Sequence, residues 1–307
     1  MKRRSLLFLL IGMLPALLAA ATTSPTAGMF KGQVASLEAG GGSLPERSAA
    51  ACRRWQGEKP GSVFFTAWAF PACESIRSGR GRAGDDGEPV ALRVRDNRIS
   101  VQEHGRDGLT ISDRLGEGKD PVSWGVLLFL HQVRDGSCQV LDMEVLAPDR
   151  TCDLGGERLA WLGSANEEKG LELLRALSAS AGGRLRKELA FALYLFAGEA
   201  AVTDLIGLAR HDPDLEVRKG AIFWLGQKAS AAAVAALGEV IAAPEVLEIK
   251  KAAVFALSQL PEDRGTPMLL RIARQNPHPR LRKEAIFWLG QSGDPRALDF
   301  FEEILLR

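Results

Sequence analysis

The chain has 307 residues, of which 46% are hydrophobic and 25% are charged, and this composition excludes a disordered or collagen-like protein. Its length is sufficient for two domains of ordinary size. The formal net charge of +1 excludes a general electrostatic attraction to nucleic acid, so we expect no nucleic-acid partner.

Residues 1–21 have the pattern of a secretory signal peptide. Basic residues at positions 2–4 precede an apolar segment from Leu6 to Leu18, and the alanines that end at Ala21 offer a cleavage site. The apolar segment is too short to span a bilayer, and no later segment has 18 or more apolar residues. We therefore expect a periplasmic or secreted protein, cleaved near Ala21, without stable membrane insertion.

Residues 22–50 are rich in Thr, Ser, Ala and Gly and are predicted to form a flexible tether. Residues 51–163 are predicted to form a small, mainly β domain, because short apolar runs alternate there with turn residues. The pair Asp96-Asn97 predicts a tight hairpin turn. Strands are expected at Val63–Trp68, Val90–Val94, Ile99–Val101, Trp124–Val133, Gln139–Val145 and Arg158–Leu162, with loops over 78–88 and 104–121.

Four cysteines lie in the predicted β domain, at Cys52, Cys73, Cys138 and Cys152. An even number of cysteines in an exported chain favours disulfides. No Cys-x-x-Cys spacing is present, so neither a zinc site nor a thioredoxin-like redox site is expected. The pairing stays open between Cys138–Cys152 with Cys52–Cys73 and arrangements that join Cys73 to Cys152, and free structural thiols are the alternative.

The segment 164–307 has a helical apolar period, and one pattern returns there every 32 residues. A Leu-Arg-Lys-Glu tetrapeptide or a close variant begins each copy, and a Phe follows six residues later. A fixed period of this size predicts stacked helix pairs that bury their apolar faces against one another. We expect about four helix pairs and a terminal helix, with helices at 167–178, 202–210, 231–242, 266–275 and 295–306.

Two segments, Asp212–Gly226 and Leu281–Gly290, resemble HEAT repeats of the kind named after phycobilisome lyases, which share an Asp-Pro-x-x-x-Val-Arg-x-x-Ala core. The first repeat lacks the Asp-Pro pair, and the third has Lys250 in place of Arg. A signal, a cysteine-containing β region and such an array together resemble exported bacterial HEAT-repeat proteins. The resemblance implies an α-solenoid, and therefore an α+β chain overall. It also implies a structural ladder across repeats, to which we assign Asp212, Arg218, Asn276 and Arg282.

On a helical wheel, the second helix of each repeat turns its Lys, Phe and Gln columns away from the packed face. Second helices line the concave surface in arrays of this kind. Lys supplies charge, Phe supplies apolar contact and Gln can bond an extended backbone, so we interpret these columns as a site for a protein or peptide partner. The alternative is that the chain's own β domain covers the Phe column. The predicted site comprises Lys187, Phe191, Lys219, Phe223, Gln227, Lys251, Phe255, Gln259, Lys283, Phe287 and Gln291.

The sequence contains no recognisable catalytic or metal-binding motif. The four histidines are scattered, and neither a His-Glu-x-x-His nor a phosphate-loop pattern is present. We therefore expect an adaptor or scaffold without enzymatic activity, metal or cofactor. The family resemblance implies one alternative, a lyase-like or cofactor-binding protein that acts on a tetrapyrrole-type ligand. The sequence gives no indication of the oligomeric state.

Overall fold

A computed structural model describes residues 25–38, 41–73, 89–103, 106–107, 123–148, 151–228, 230–260 and 264–306. The predicted signal peptide and most of both predicted loops lie outside these residues. Residues 106–107, expected in a loop, form a short strand instead. Within the described ranges, no helix has the length and apolar character needed to cross a membrane.

The N-terminal part is mainly β, as predicted, and its described strands form one curved sheet of eight strands. The strands are β1 Phe30–Ser36, β2 Val63–Ala72, β3 Val90–Arg95, β4 Arg98–Glu103, β5 Arg106–Asp107, β6 Ser123–Arg134, β7 Ser137–Leu146 and β8 Cys152–Ser164. Their order is β5-β4-β3-β8-β2-β6-β7, and β1 pairs with β8 off this path. The predicted hairpin joins β3 to β4, with φ of 49° at Asp96 and 60° at Asn97, in the left-handed region that a type I′ turn requires.

Both faces of the central strands are buried, which explains their long apolar runs. On β2, Phe64 and Trp68 join the core shared with the helices, whereas Phe65 and Ala67 join a second core enclosed by the sheet. Successive side chains of a strand point to opposite faces, so one strand contributes to both cores. The sheet and the helices are therefore held together by common apolar packing.

The predicted flexible tether over residues 22–50 is wrong where the structure describes it. β1 lies within this segment and pairs in parallel with β8, and helix α1, Leu44–Trp55, begins there. Ser43 and Glu46 form a capping box that starts the helix. Phe30 and Leu44 are buried. The segment is ordered because these few apolar residues anchor it among many small polar ones.

One disulfide joins Cys52 of α1 to Cys138 of β7, with the two Cα atoms 5.8 Å apart. Cys73 and Cys152 remain thiols, the first exposed and the second buried. The pairings Cys52–Cys73, Cys138–Cys152 and Cys73–Cys152 are therefore wrong. A bond between the last two is excluded because β2 and β8 are parallel neighbours, so Cys73 after the end of β2 and Cys152 at the start of β8 lie at opposite ends of the strands.

The C-terminal part is a helical array of four helix pairs and a terminal helix, as predicted, within the described residues. The pairs are α2 Glu167–Ser180 with α3 Gly183–Tyr194, α4 Glu199–His211 with α5 Leu215–Lys228, α6 Ala231–Ala242 with α7 Leu247–Ser258 and α8 Thr266–Gln275 with α9 Pro279–Ser292, followed by α10 Pro295–Leu305. The second helices, α3, α5, α7 and α9, pack closely on one another, whereas the first helices are farther apart. The closer stacking places the second helices on the concave side.

Candidate binding surface

The recurring phenylalanines of the second helices differ in exposure. Phe223 and Phe287 are 37% and 55% exposed. Phe255 is partly buried, and Phe191 is only 5% exposed. The expectation of a uniformly open Phe column is therefore wrong at Phe191, and two open rings alternate with two that are covered to different degrees.

The residue after each Phe determines whether the Phe of the preceding repeat is covered. The ring of Trp224 in the second repeat lies 4.8 Å from the ring of Phe191 in the first. Trp288 of the fourth repeat lies 5.1 Å from Phe255 of the third. Ala256 occupies the equivalent position of the third repeat, and its short side chain cannot cover Phe223 of the second repeat. A tryptophan thus shields every second ring of the column.

The Lys and Gln columns lie at the surface beside the open rings. Lys219 pairs with Glu216 at 2.6 Å, and Lys251 pairs with Glu284 at 3.3 Å. Ion pairs of exposed side chains contribute at most about 1 kcal/mol, so a partner's carboxylate can replace them at little cost. Exposed members of the two columns are Lys187, Lys251, Lys283, Gln259 and Gln291, while Lys219 and Gln227 are partly buried.

Two of the predicted ladder residues, Asp212 and Arg218, link neighbouring repeats. Asp212 accepts hydrogen bonds of 2.6 and 3.0 Å from Arg186 of the preceding repeat, which raises the pKa of Arg186. Arg218 pairs with Glu245 of the following repeat at 2.6 Å, which lowers the pKa of Glu245. Each of these arginines therefore ties its helix to the turn of the next repeat.

The fourth repeat does not continue this linkage. Arg282 donates to the backbone carbonyl oxygen of Asn276 at 2.8 Å and to that of Pro277 at 3.2 Å, both in its own repeat. The side-chain oxygen of Asn276 accepts from the backbone N–H of His278 at 2.9 Å. Asn276 and Arg282 thus stabilise the turn that begins α9, and their contact does not join two repeats.

A cleft of about 700 Å³ lies where the concave side of the helical array meets the β domain. One wall is formed by β4 and β7, including Ile99, Met143 and Val145. The other is formed by α3 and α5. It includes Lys187, Phe191, Lys219, Phe223 and Trp224. The first two repeats of the Lys and Phe columns therefore open into this cleft.

Helix α3 packs along the outer edge of β7, which is the last strand in the order of the sheet. Arg184 donates to the backbone carbonyl oxygen of Leu141 at 2.6 Å. The carboxyl group of Glu188 accepts from the backbone N–H of Met143. Arg184 and Glu188 are four residues apart and lie on one face of the helix. Two of its side chains thus satisfy backbone groups that a neighbouring strand would otherwise bind.

A pair of carboxyl groups lies at this junction. Asp142 is buried, accepts from the backbone N–H of Ile99 at 2.6 Å and lies 3.3 Å from Arg184. Its bond to Ile99 brings β7 and β4 together. Burial, and then the charge of Asp142, raise the pKa of Glu188 to about 8. Burial beside the Asp142 carboxylate therefore favours the neutral form of Glu188.

Among the described residues, no histidine lines the cleft, so no imidazole is placed there to act as a base. His131 is buried, its Nε2 lies 2.8 Å from Oγ1 of Thr66, and its ring stacks on Phe64. Burial lowers the pKa of His131 to about 3, so the ring is neutral. No group of three or more His, Cys, Asp or Glu side chains capable of holding a metal occurs in the part of the chain that the structure describes.

Residues 202–287 and 235–307 match the family model for HEAT repeats. The helical array therefore contains HEAT repeats over residues 202–307. Among solved structures, the chain is similar to human deoxyhypusine hydroxylase in complex with glycerol, at 19% identity over 42% of this chain and 53% of that chain, with a TM-score of 0.28. It is also similar to the CpcE and CpcF complex of phycocyanin lyase from Nostoc, at 18% identity over 44% of this chain and 70% of that chain, with a TM-score of 0.29.

This chain spans about half the length of the hydroxylase. No curated protein matches it. Likenesses at these identities and TM-scores do not define an activity for the helical array.

Sequence reasoning missed two features of this surface. The alternation of Ala and Trp after each Phe is visible in the sequence, but its effect depends on the Trp reaching back to the preceding repeat. The attachment of Arg184 and Glu188 to β7 has no sequence signal, because an edge strand cannot be recognised before the strand order is known. The first feature determines which rings of the Phe column are open, and the second places α3 against β7.

Proposed function

We propose that the protein is an exported scaffold whose HEAT array binds an extended polypeptide segment of a partner protein along its concave side. The observation that supports this most is the pair of open rings, Phe223 and Phe287, which are 37% and 55% exposed on the second helices. Large aromatic side chains left open on one face are typical of interaction sites. The partner would supply apolar side chains that cover both rings.

The spacing of the two rings favours an extended ligand. They lie two repeats apart, and packed helices are about 8–10 Å apart, which gives a separation of about 16–20 Å. An extended polypeptide advances about 3.3 Å per residue, so two anchors about six residues apart would match the rings. The recurring Lys column beside them favours acidic side chains in the same segment.

The proposed location is the periplasm or the extracellular space. The pattern of residues 1–21 is that of a secretory signal. The Cys52–Cys138 disulfide supports this location, because disulfides persist mainly in oxidising compartments. We further propose a non-catalytic role. A tetrapyrrole-type ligand would instead give the purified protein visible absorption bands, which a spectrum would reveal.

The proposal is tested by quantitative capture from the organism's own envelope or secreted fraction. The full chain and the double variant Phe223→Ala/Phe287→Ala are immobilised, and retained proteins are identified and their affinities measured by calorimetry. We expect at least a tenfold weaker binding by the variant, since each truncated hot-spot ring costs about 1–2 kcal/mol. The control is Val246→Ala/Leu298→Ala, which removes two exposed apolar side chains outside the Phe column. Equal retention by all three proteins would refute the concave site.

A further inference from the structure

The edge of β7 turns alternate backbone groups toward the helices. The carbonyl oxygen of Leu141 accepts from Arg184, and the N–H of Met143 donates to Glu188. Two residues further along, the N–H of Val145 donates at 2.8 Å to Oε1 of Glu144, its own neighbour in the chain. This period of two is the one expected for the outward groups of an antiparallel edge strand. Val145 therefore continues the series beyond the end of the contact with α3.

The three groups are satisfied in different ways. Leu141 and Met143 are held by side chains of α3 that also fix the junction of the two domains. The partner of Val145 is a local side chain in a cleft that reaches the surface. A hydrogen bond of this kind contributes only about 1 kcal/mol net, so another acceptor can replace it. Proteins commonly protect edge strands with charged side chains, because an uncovered edge pairs readily with another chain.

The cleft presents two complementary walls to a single segment. Met143 and Val145 supply the strand edge, and Phe223 and Trp224 supply an aromatic surface opposite it. Lys187 and Lys219 of the same helices also line the cleft. A strand placed here would pair its backbone with one wall and turn alternate side chains toward the other. Acidic side chains would meet the lysines.

Resting on the proposed function, we propose that the partner's segment adds to the sheet as a further strand at the edge of β7, pairing with the backbone of Val145. The segment alternates apolar with acidic residues. It displaces the carboxylate of Glu144 from the Val145 N–H, and then leaves the cleft along the open rings of the HEAT array. Backbone pairing supplies affinity and the aromatic wall supplies selectivity, as in other cases of strand addition.

The test uses a random peptide library displayed on phage and selected against the full chain. Enriched sequences are synthesised with a fluorescent label, and their affinities are measured by anisotropy. The decisive variant is Val145→Pro, which removes the N–H that points away from β6 and so leaves the pairing of β6 with β7 intact. The matched control is Val145→Thr, which keeps the N–H and the branched shape.

We expect the selected peptides to alternate apolar and acidic residues. Their affinity should be at least about tenfold weaker for Val145→Pro and unchanged for Val145→Thr. Equal binding to both variants, with loss in Phe223→Ala, would overturn strand addition and leave the proposed function in place. Failure to enrich any peptide would overturn both.

A second measurement keeps the proposal testable if Val145→Pro does not fold. Hydrogen exchange of residues 141–146 is followed in the unmodified chain with and without the best selected peptide. Strand addition predicts at least about tenfold slower exchange of the Val145 amide, because that N–H gains a backbone acceptor. An unchanged rate at Val145, with the peptide bound, would overturn the proposal.

Discussion

The β domain and the HEAT array are stabilised by contacts of different reach along the chain. In the β domain, β1 pairs with β8, and the Cys52–Cys138 disulfide joins residues 86 positions apart. In the HEAT array, each helix packs mainly on its own repeat and the next. Arrays of this kind approximate a sum of local terms. A perturbation is therefore expected to affect the whole sheet in one region and only neighbouring repeats in the other.

The largest expected effect is the loss of the disulfide. Replacement of Cys52 and Cys138 by alanine should lower the free energy of unfolding by about 4–5 kcal/mol, because the bridge restricts a long loop in the unfolded chain. Urea unfolding of the oxidised protein measures this. The control Cys73→Ala changes an exposed thiol and should cost less than about 1 kcal/mol. Similar losses in both proteins would contradict the comparison.

The next effect concerns packing between two repeats. Trp224 is buried and lies 4.8 Å from the rings of both Phe191 and Tyr194. Trp224→Ala should therefore cost about 3–5 kcal/mol and open the ring of Phe191 to solvent. Calorimetric unfolding provides the measurement. Phe287→Ala removes an exposed ring and serves as the control, with an expected change within about 0.5 kcal/mol. A larger loss in the control would be inconsistent with this account.

A smaller effect concerns the approach of the second and third repeats. A Cβ atom at Gly226 would lie 2.7 Å from the carbonyl oxygen of Ala256. Gly226→Ala should therefore separate α5 from α7 and cost about 1–3 kcal/mol. Gly207, in α4, has open space around the same position. Gly207→Ala should instead stabilise the helix by about 0.5–1 kcal/mol. Thermal unfolding distinguishes the two signs, and a common sign would refute the close approach.

The smallest effect is a pH dependence at the junction of the two regions. The pKa of Glu188 is raised in the folded state to about 8, above its ordinary value of 4.5. A raised pKa gives stability that is present below pH 4.5 and is lost as the pH rises through 8. Glu188→Gln keeps a neutral side chain of the same size, so its melting temperature should exceed that of the parent at pH 8.5 and approach it at pH 4.5. Parallel curves over this range would contradict the assignment.

The HEAT array could be predicted from the sequence almost completely, because its determinants are local. The helices Ala231–Ala242 and Thr266–Gln275 have the predicted bounds residue for residue. The 32-residue period specified the number of helix pairs. What could not be predicted was the exposure of each ring, because the cover of Phe191 depends on a tryptophan in another repeat.

The β domain was predictable only in its individual strands. The hairpin at Asp96-Asn97 was recognised because its turn is encoded by adjacent residues. Strand β1 was missed because its partner, β8, follows more than a hundred residues later, and its own sequence is rich in small polar residues. The cysteine pairing failed for the same reason, since it depends on which strands lie side by side. The cleft combines both problems, because it requires the strand order and the placement of the array together.

The contact of α3 with β7 determines how the β domain behaves when it is expressed without the helices. A fragment of residues 25–164 would lack Arg184 and Glu188. The backbone carbonyl of Leu141 and the backbone N–H of Met143 would then lose these partners. The apolar face of the sheet that carries Trp68 would be stripped at the same time. Such a fragment is expected to form oligomers by edge-to-edge pairing, whereas in the intact chain the helices cover this edge and face of the sheet.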